Sequence, residues 1–264
     1  MQMITELSKD PNQFNLNYQT VGSGKALILL HGFGLNRTIW DQVISYLPPN
    51  IQVLTPDLRG HGKSFVPSGI YRMEEMAEDI LRLMNHLAIE KAVLAGHSMG
   101  GYIALAFAQN YPERLESLAL ITTNARPDAP EKRNARIIDM HKVEQLGSNV
   151  IAENLAPRLS QDPILVNAMQ MIIKSTDPQG IIGSGLGMAD RSDRMNVLAT
   201  LTQPVLVVAG SDDLITPLSA CEEMASVALS GKLVVMDGVG HLPMLEAPLR
   251  LSEELCKLVN KIGY

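Results

Sequence analysis

A hexapeptide, Gly96-His97-Ser98-Met99-Gly100-Gly101, follows the apolar run Val93–Ala95 and precedes an apolar-periodic stretch. A serine between glycines at a strand–helix junction is the pattern of a nucleophile held on a sharp, strained turn. Gly96 and Gly100 omit the Cβ groups that would collide with the adjoining strand and helix. The helix N-terminus that follows supplies unpaired N–H groups and a positive dipole end. A serine hydroxyl is nevertheless a weak nucleophile until a base takes its proton and a carboxylate orients that base. Both partners follow in chain order, each just beyond an apolar run. Ser211-Asp212-Asp213 comes after PVLVVAG (204–210), and Val239-Gly240-His241 comes after KLVVMDG (232–238). His241 is the candidate base, and either Asp213 or Asp212 is the candidate partner for its second ring nitrogen. Taken singly, His241 reads as an ordinary loop histidine and the aspartates as a solvated helix cap. Their order, each at a strand end, argues for chemistry.

Acyl transfer also needs two N–H donors for the oxyanion that develops on the attacked carbonyl. Met99, the residue after Ser98, offers one. Phe33 offers the other, in the loop His31-Gly32-Phe33-Gly34 that follows ALILL (26–30), where Gly32 and Gly34 let the chain bend toward the bound oxygen. His31 is expected to brace that loop through side-chain hydrogen bonds, not to react. Other chemistries find little support. His61 and His97 are not at metal-ligand spacing, and HExxH, CxxC and GxxxxGK[ST] motifs are absent. Gly96–Gly101 is not GxGxxG. No metal and no cofactor is implied.

The elements that must position these residues recur with a strand–helix rhythm. Strands are expected at Phe14–Thr20, 26–30, 51–56, 91–96, 115–121, 204–210 and 232–238, several apolar on successive residues as in a sheet covered on both faces. Helices are expected near 36–47, 72–88, 98–110, 217–229 and 245–261. In Met73–Leu87 the apolar positions fall on one helical face. The rhythm predicts an α/β fold with a mostly parallel sheet. It breaks once, between Asn124 and about Leu198, where only helical material (Lys132–Leu146, Val150–Leu159, Ile164–Lys174) and a glycine-rich ending, GIIGSGLGMADR, are found. So long a stretch exceeds an ordinary loop. Residues 124–198 are therefore expected to be a helical cap inserted in a core made of 1–123 and 199–264.

Composition bounds the function. The 264 residues are 46% hydrophobic and 19% charged, enough to build one compact core without disulfide staples. A net charge of −6 with no basic stripe argues against nucleic acid and anionic membranes as partners. Two cysteines, and an N-terminus without a signal-peptide pattern, predict a cytoplasmic protein. Only 4% of residues are aromatic, against fourteen methionines, and no Phe, Tyr or Trp lies between Tyr111 and Tyr264. Aromatic contacts to a ligand must come from the first half, with Phe33 and Trp40 nearest the oxyanion loop. Met140, Met169, Met171, Met188 and Met195 of the cap are candidates for an adaptable apolar lining, core packing being the plainer role. Arg126, Arg133 and Arg136 could greet an acidic substrate, or simply form a solvated helix face.

With these residues in view, the chain resembles the α/β-hydrolase superfamily across nearly its whole length, and within it the small cofactor-free carboxylesterase, enol-lactonase and non-haem haloperoxidase-like group. Five ordered segments carry the resemblance: HGFGLNRTIW (31–40), DLRGHGKS (57–64), GHSMGG (96–101), GSDDLITP (210–217) and GVGHLPMLEAP (238–248). The resemblance implies the α/β-hydrolase fold, a mostly parallel central sheet flanked by helices with an inserted helical cap over Ser98. Its acid-loop register, set on Gly210 and Pro217, selects Asp213 and leaves Asp212 as the lesser alternative. It implies a Ser98-Asp213-His241 triad, Phe33 and Met99 as oxyanion donors, and His31, Gly32, Gly34, Gly96, His97 and Gly100 in support. A serine where haloalkane dehalogenases carry aspartate argues against halide displacement. The implied activity is hydrolysis of a small, apolar carboxylic ester, thioester or lactone through an acyl-enzyme. Thioesterase, enol-lactonase and perhydrolase-like activities, and a ligand receptor or interaction protein on the same fold, are the alternatives.

Overall fold

The computed structural model describes residues 16–261 and 263. Seven strands form its sheet: β1 (Tyr18–Val21), β2 (Lys25–Leu30), β3 (Ile51–Pro56), β4 (Ala92–His97), β5 (Leu115–Ile121), β6 (Val205–Gly210) and β7 (Gly231–Met236). Their spatial order is β1-β3-β2-β4-β5-β6-β7. Only β1 runs antiparallel, against β3, and every other pair is parallel. The expected N-terminal strand is realised from Tyr18, and the earlier part of that expectation lies outside the described residues.

Alternation along the strands builds two apolar layers. Ala26, Ile28 and Leu30 of β2 face one core with α2 (Met73–His86), α3 (Met99–Asn110) and α9 (Leu218–Val227). Leu27 and Leu29 face the other with α1 (Asp41–Tyr46) and α11 (Pro248–Val259). Both faces of the central strands are therefore dry, as a parallel sheet requires. In α2, Met73, Met76, Ala77, Ile80, Leu83 and Met84 are buried, the face that the periodicity predicted. The chain then turns through Ala88, in the left-handed region at φ 53°.

Between β5 and β6 lie α4 (Pro130–Leu146), α5 (Asn149–Leu159), α6 (Pro163–Ser175), α7 (Pro178–Ala189) and α8 (Met195–Thr200). The helix α4 packs on α7 and α5 on α6, whereas α8 packs on α3 and α9. The glycine-rich ending is itself a helix, α7, capped by the Asp177 carboxylate, which accepts the Gln179 N–H at 2.8 Å. Its glycines serve contact, since a Cβ at Gly180 would stand 1.8 Å from the Gly60 carbonyl oxygen. Short α10 (Pro243–Glu246) follows β7 and precedes α11. Among the described residues no helix is long and apolar enough to cross a membrane.

Candidate active site

Ser98 joins the end of β4 to the start of α3 at φ 50° and ψ −112°, in a conformation that non-glycine residues rarely adopt. Such a residue costs about 1–3 kcal/mol, and its surroundings must hold it in place. They do so from both sides. The Ser98 N–H donates to the Ile121 carbonyl at 3.0 Å, and its carbonyl accepts from Thr123 Oγ1 at 2.7 Å. No side chain fits at the flanking glycines: a Cβ on Gly96 would lie 2.2 Å from the Gly100 carbonyl, and one on Gly100 would lie 2.4 Å from that of Leu30. Met99 is the first residue of α3, so its N–H has no acceptor within its own helix.

His241 and Asp213 meet below this turn. His241 Nδ1 lies 2.8 Å from Asp213 Oδ2, with both side chains 1% exposed. A carboxylate can only accept, so Nδ1 donates to it, and Nε2 is the ring nitrogen left for a further contact. The other Asp213 oxygen accepts the N–H groups of Ile215 at 2.7 Å and Thr216 at 3.0 Å, which fix the carboxylate plane. Asp212 is exposed and accepts from the Ser211 hydroxyl at 2.8 Å. The His241 main chain is held as firmly: its N–H donates to Leu159 of α5 at 3.0 Å, and its carbonyl accepts from His97 Nε2 at 2.9 Å and Thr122 Oγ1 at 3.1 Å. Glu246, which the sequence did not single out, accepts the N–H of Gly240.

His97 thus serves His241 through its Nε2, while its buried Nδ1 has no hydrogen-bond partner among the described residues. Burial, with the neighbouring His241 ring, pushes its pKa well below the ordinary value, so it is neutral. Gly32 gives this ring room, since a Cβ there would lie 2.7 Å from His97 Nδ1.

The loop around Phe33 is pinned by two further buried histidines. His31 Nδ1 lies 2.9 Å from the Gly32 carbonyl, and its Nε2 accepts the Leu58 N–H at 2.9 Å. His61, from the turn after β3, accepts the Gly34 N–H on Nε2 at 3.2 Å, with Nδ1 2.9 Å from the Arg59 carbonyl. Each ring must therefore be neutral with its proton on Nδ1. Burial enforces this, bringing the His31 pKa down to about 4 and, with the adjacent His31, that of His61 to about 3. The Gly32 carbonyl held by His31 belongs to the same peptide group as the Phe33 N–H. That N–H has no acceptor among the described residues, whereas those of Gly34 and Leu35 are used. His31 thus makes two hydrogen bonds within and beside the loop, and His61, which the sequence did not single out, makes a matching pair.

Ser98 and His241 open on one cavity of about 200 Å³. Its apolar walls include Phe33 and Leu35 from the core side, Met140 of α4, and Ile151, Leu155 and Leu159 of α5. Of the five methionines between residues 124 and 198, Met140 and Met188 line it, whereas Met171 is exposed on the outside. Phe33 is an aromatic lining residue, but Trp40 is not: it is fully buried in the core layer that also holds residues of α1 and α11. Tyr102, one turn into α3, takes that place, and the i, i+4 step from Ser98 was the signal that could have found it. Arg136 lines the cavity with Lys132 and Arg158. Arg126 is on the surface with Glu223 and Asp193, and Arg133 donates to the Ala189 carbonyl at 2.9 Å. Among the described residues no group of three or more His, Cys, Asp or Glu side chains could hold a metal ion.

A strand–serine–helix turn at the carboxyl edge of a mostly parallel sheet, with a buried Asp–His pair beside it, defines a class of fold and site together. The family model of the alpha/beta hydrolase fold matches residues 25–168, and the chain belongs to that family. It is similar to a thermophilic esterase from Thermogutta terrifontis, at TM-score 0.90 and 38% identity over 94% of each chain. It is similar also to an enol-lactonase from Burkholderia xenovorans, at TM-score 0.86 and 25% identity over 93% of this chain and 96% of that one. In sequence it is 29% identical over 241 residues to 3-oxoadipate enol-lactonase 2 of Acinetobacter baylyi, covering 88% of each chain.

Proposed function

We propose that the protein is a serine hydrolase of small carboxylic esters or lactones. The observation that carries this reading is the 2.8 Å contact between buried His241 and Asp213, opening on the cavity that also contains strained Ser98. In the proposed reaction His241 Nε2 takes the hydroxyl proton as Ser98 Oγ bonds to the carbonyl carbon. The carbonyl oxygen becomes an oxyanion received by the N–H groups of Phe33 and Met99. Collapse of the tetrahedral species breaks the bond to the alcohol, which leaves with the proton from His241. A water molecule, deprotonated by the same nitrogen, then attacks the acyl-serine, and its collapse returns the proton to Ser98 Oγ and frees the acid. Each oxyanion donor is worth about 3–4 kcal/mol in such sites. Residues 124–198 act as the cap, supplying the roof of the cavity over this chemistry. The esterase and enol-lactonase relatives support an ester or lactone over a thioester.

A fluorophosphonate probe tests the activated serine. Wild-type protein is expected to be labelled and Ser98→Ala not, with hydrolysis of p-nitrophenyl acetate to octanoate falling on the order of a millionfold in the variant. An unlabelled wild type would overturn the proposal and leave a ligand-binding member of the same fold.

A further inference from the structure

The cavity that contains Ser98 is lined by three cationic side chains, although the chain carries a net charge of −6. Lys132 and Arg136 of α4 and Arg158 of α5 line it. The one carboxylate among the lining residues, Asp139, is engaged with Lys142 at 2.9 Å. Arg136 is a fixed side chain, 17% exposed, whose Nε donates to Asp128 Oδ2 at 2.8 Å. Asp128 is itself buried and gives its other oxygen to Arg191 Nη2 at 3.0 Å, with Lys132 Nζ at 3.7 Å. Three cations thus share a single carboxylate. Burial opposes ionisation of Asp128, but the hydrogen bonds and charges of Arg191 and Arg136 override it and hold its pKa at about 2. Arg191 in turn lies 4.2 Å over the ring of Tyr102, another wall of the cavity.

This arrangement leaves the two terminal nitrogens of Arg136 without an acceptor among the described residues. A guanidinium anchored through Nε, with its outer donors unspent, is a preorganised fork for a planar anion. Apolar Met140, Ile151, Leu155 and Met188 line the same cavity, which suits a short methylene chain. We propose that the substrate carries a carboxylate remote from the carbonyl that Ser98 attacks, and that Arg136, with Lys132 and Arg158, receives it. Half-esters of short dicarboxylic acids, and short acyl esters of hydroxy acids, have this chemistry. The inference rests on the ester-hydrolase reading for the place of the reacting carbonyl.

Binding to the Ser98→Ala protein tests it without turnover, so its failure is distinct from a failure of serine labelling. Calorimetry would compare monomethyl glutarate and 4-acetoxybutanoate, which carry the carboxylate on the acyl and the alcohol side, with the neutral isostere methyl 5-methylhexanoate. At least one anion is expected to bind about tenfold more tightly than the neutral ester, and to lose most of that margin between 50 and 500 mM NaCl. Adding Arg136→Gln should abolish the margin, and adding Arg158→Gln, at an exposed site, should reduce it about two- to threefold. Equal affinities for anions and isostere, a margin untouched by both substitutions, or no binding of either anion would overturn the proposal.

Discussion

At the scale of single residues, the adjacent aspartates separate structure from solvent. Asp213 Oδ2 meets His241 while its Oδ1 accepts two main-chain N–H groups, so the carboxylate can neither rotate nor leave. Asp212 is exposed, and among the described residues its side chain is bonded only to its neighbour Ser211. Asp213→Asn is expected to lower kcat by about 10⁴-fold, because an amide can present its N–H to His241 and favour the wrong tautomer. Asp212→Asn should change kcat less than about threefold, the ordinary range for an exposed side chain. Steady-state kinetics on one p-nitrophenyl ester checks both, and a reversed order would reassign the acid. Residue order alone left Asp212 and Asp213 open, and only the resemblance to the α/β-hydrolase acid loop, set on Gly210 and Pro217, pointed to Asp213. Tyr102 was legible only in part, through its i, i+4 step from Ser98, and the His61–Gly34 contact not at all. The first depends on which side of α3 faces the cavity, and the second joins residues 27 positions apart across two loops.

At the scale of elements, the strand–helix rhythm was readable because burial on both faces of the sheet leaves consecutive apolar residues. The helix α7 was harder to read, since glycine is a poor helix former by about 1 kcal/mol relative to alanine. Packing overrides that preference. The α7 backbone lies against the turn after β3, with the Gly180 Cα 2.7 Å from where a Gly60 Cβ would stand. A Cβ on Gly187 would likewise fall 1.8 Å from the Tyr71 carbonyl oxygen. Gly180→Ala should therefore destabilise the protein by about 1–3 kcal/mol, against the gain an open helical site would give. Urea unfolding reads this directly, and a stabilised variant would refute the packing argument. The effect should reach activity as well. Gly60 is followed by His61, whose ring accepts the Gly34 N–H, so a displaced turn loosens the peptide groups beside Phe33. A lower kcat with little change in KM is the expected signature of that coupling.

For the whole molecule, the site is bound to the core by groups that must stay uncharged, and this links its stability to pH. His31, His61 and His97 are all buried, their pKa values depressed chiefly by desolvation, to about 4 and about 3 for the first two and well below the ordinary value for the third. In the unfolded chain each titrates near 6.5. Between these values the unfolded state binds protons that the native state refuses, so stability is greatest above about pH 6.5 and falls as the pH drops toward 4. Each histidine contributes on the order of 1.4 kcal/mol per pH unit inside that window, so three together can remove much of the 5–15 kcal/mol typical of a domain. Asp128, held at about 2, acts in the same direction but at lower pH: its stabilisation is present above pH 3.8 and is lost only as the pH falls toward 2, below the histidine window. Unfolding in urea at pH 7.0, 6.0 and 5.0 should thus show a steep acid loss before the carboxylates titrate. His61→Gln, whose amide oxygen can still accept the Gly34 N–H, should make that loss shallower by about one proton. An equal slope in the variant would show that His61 is not held neutral by the fold.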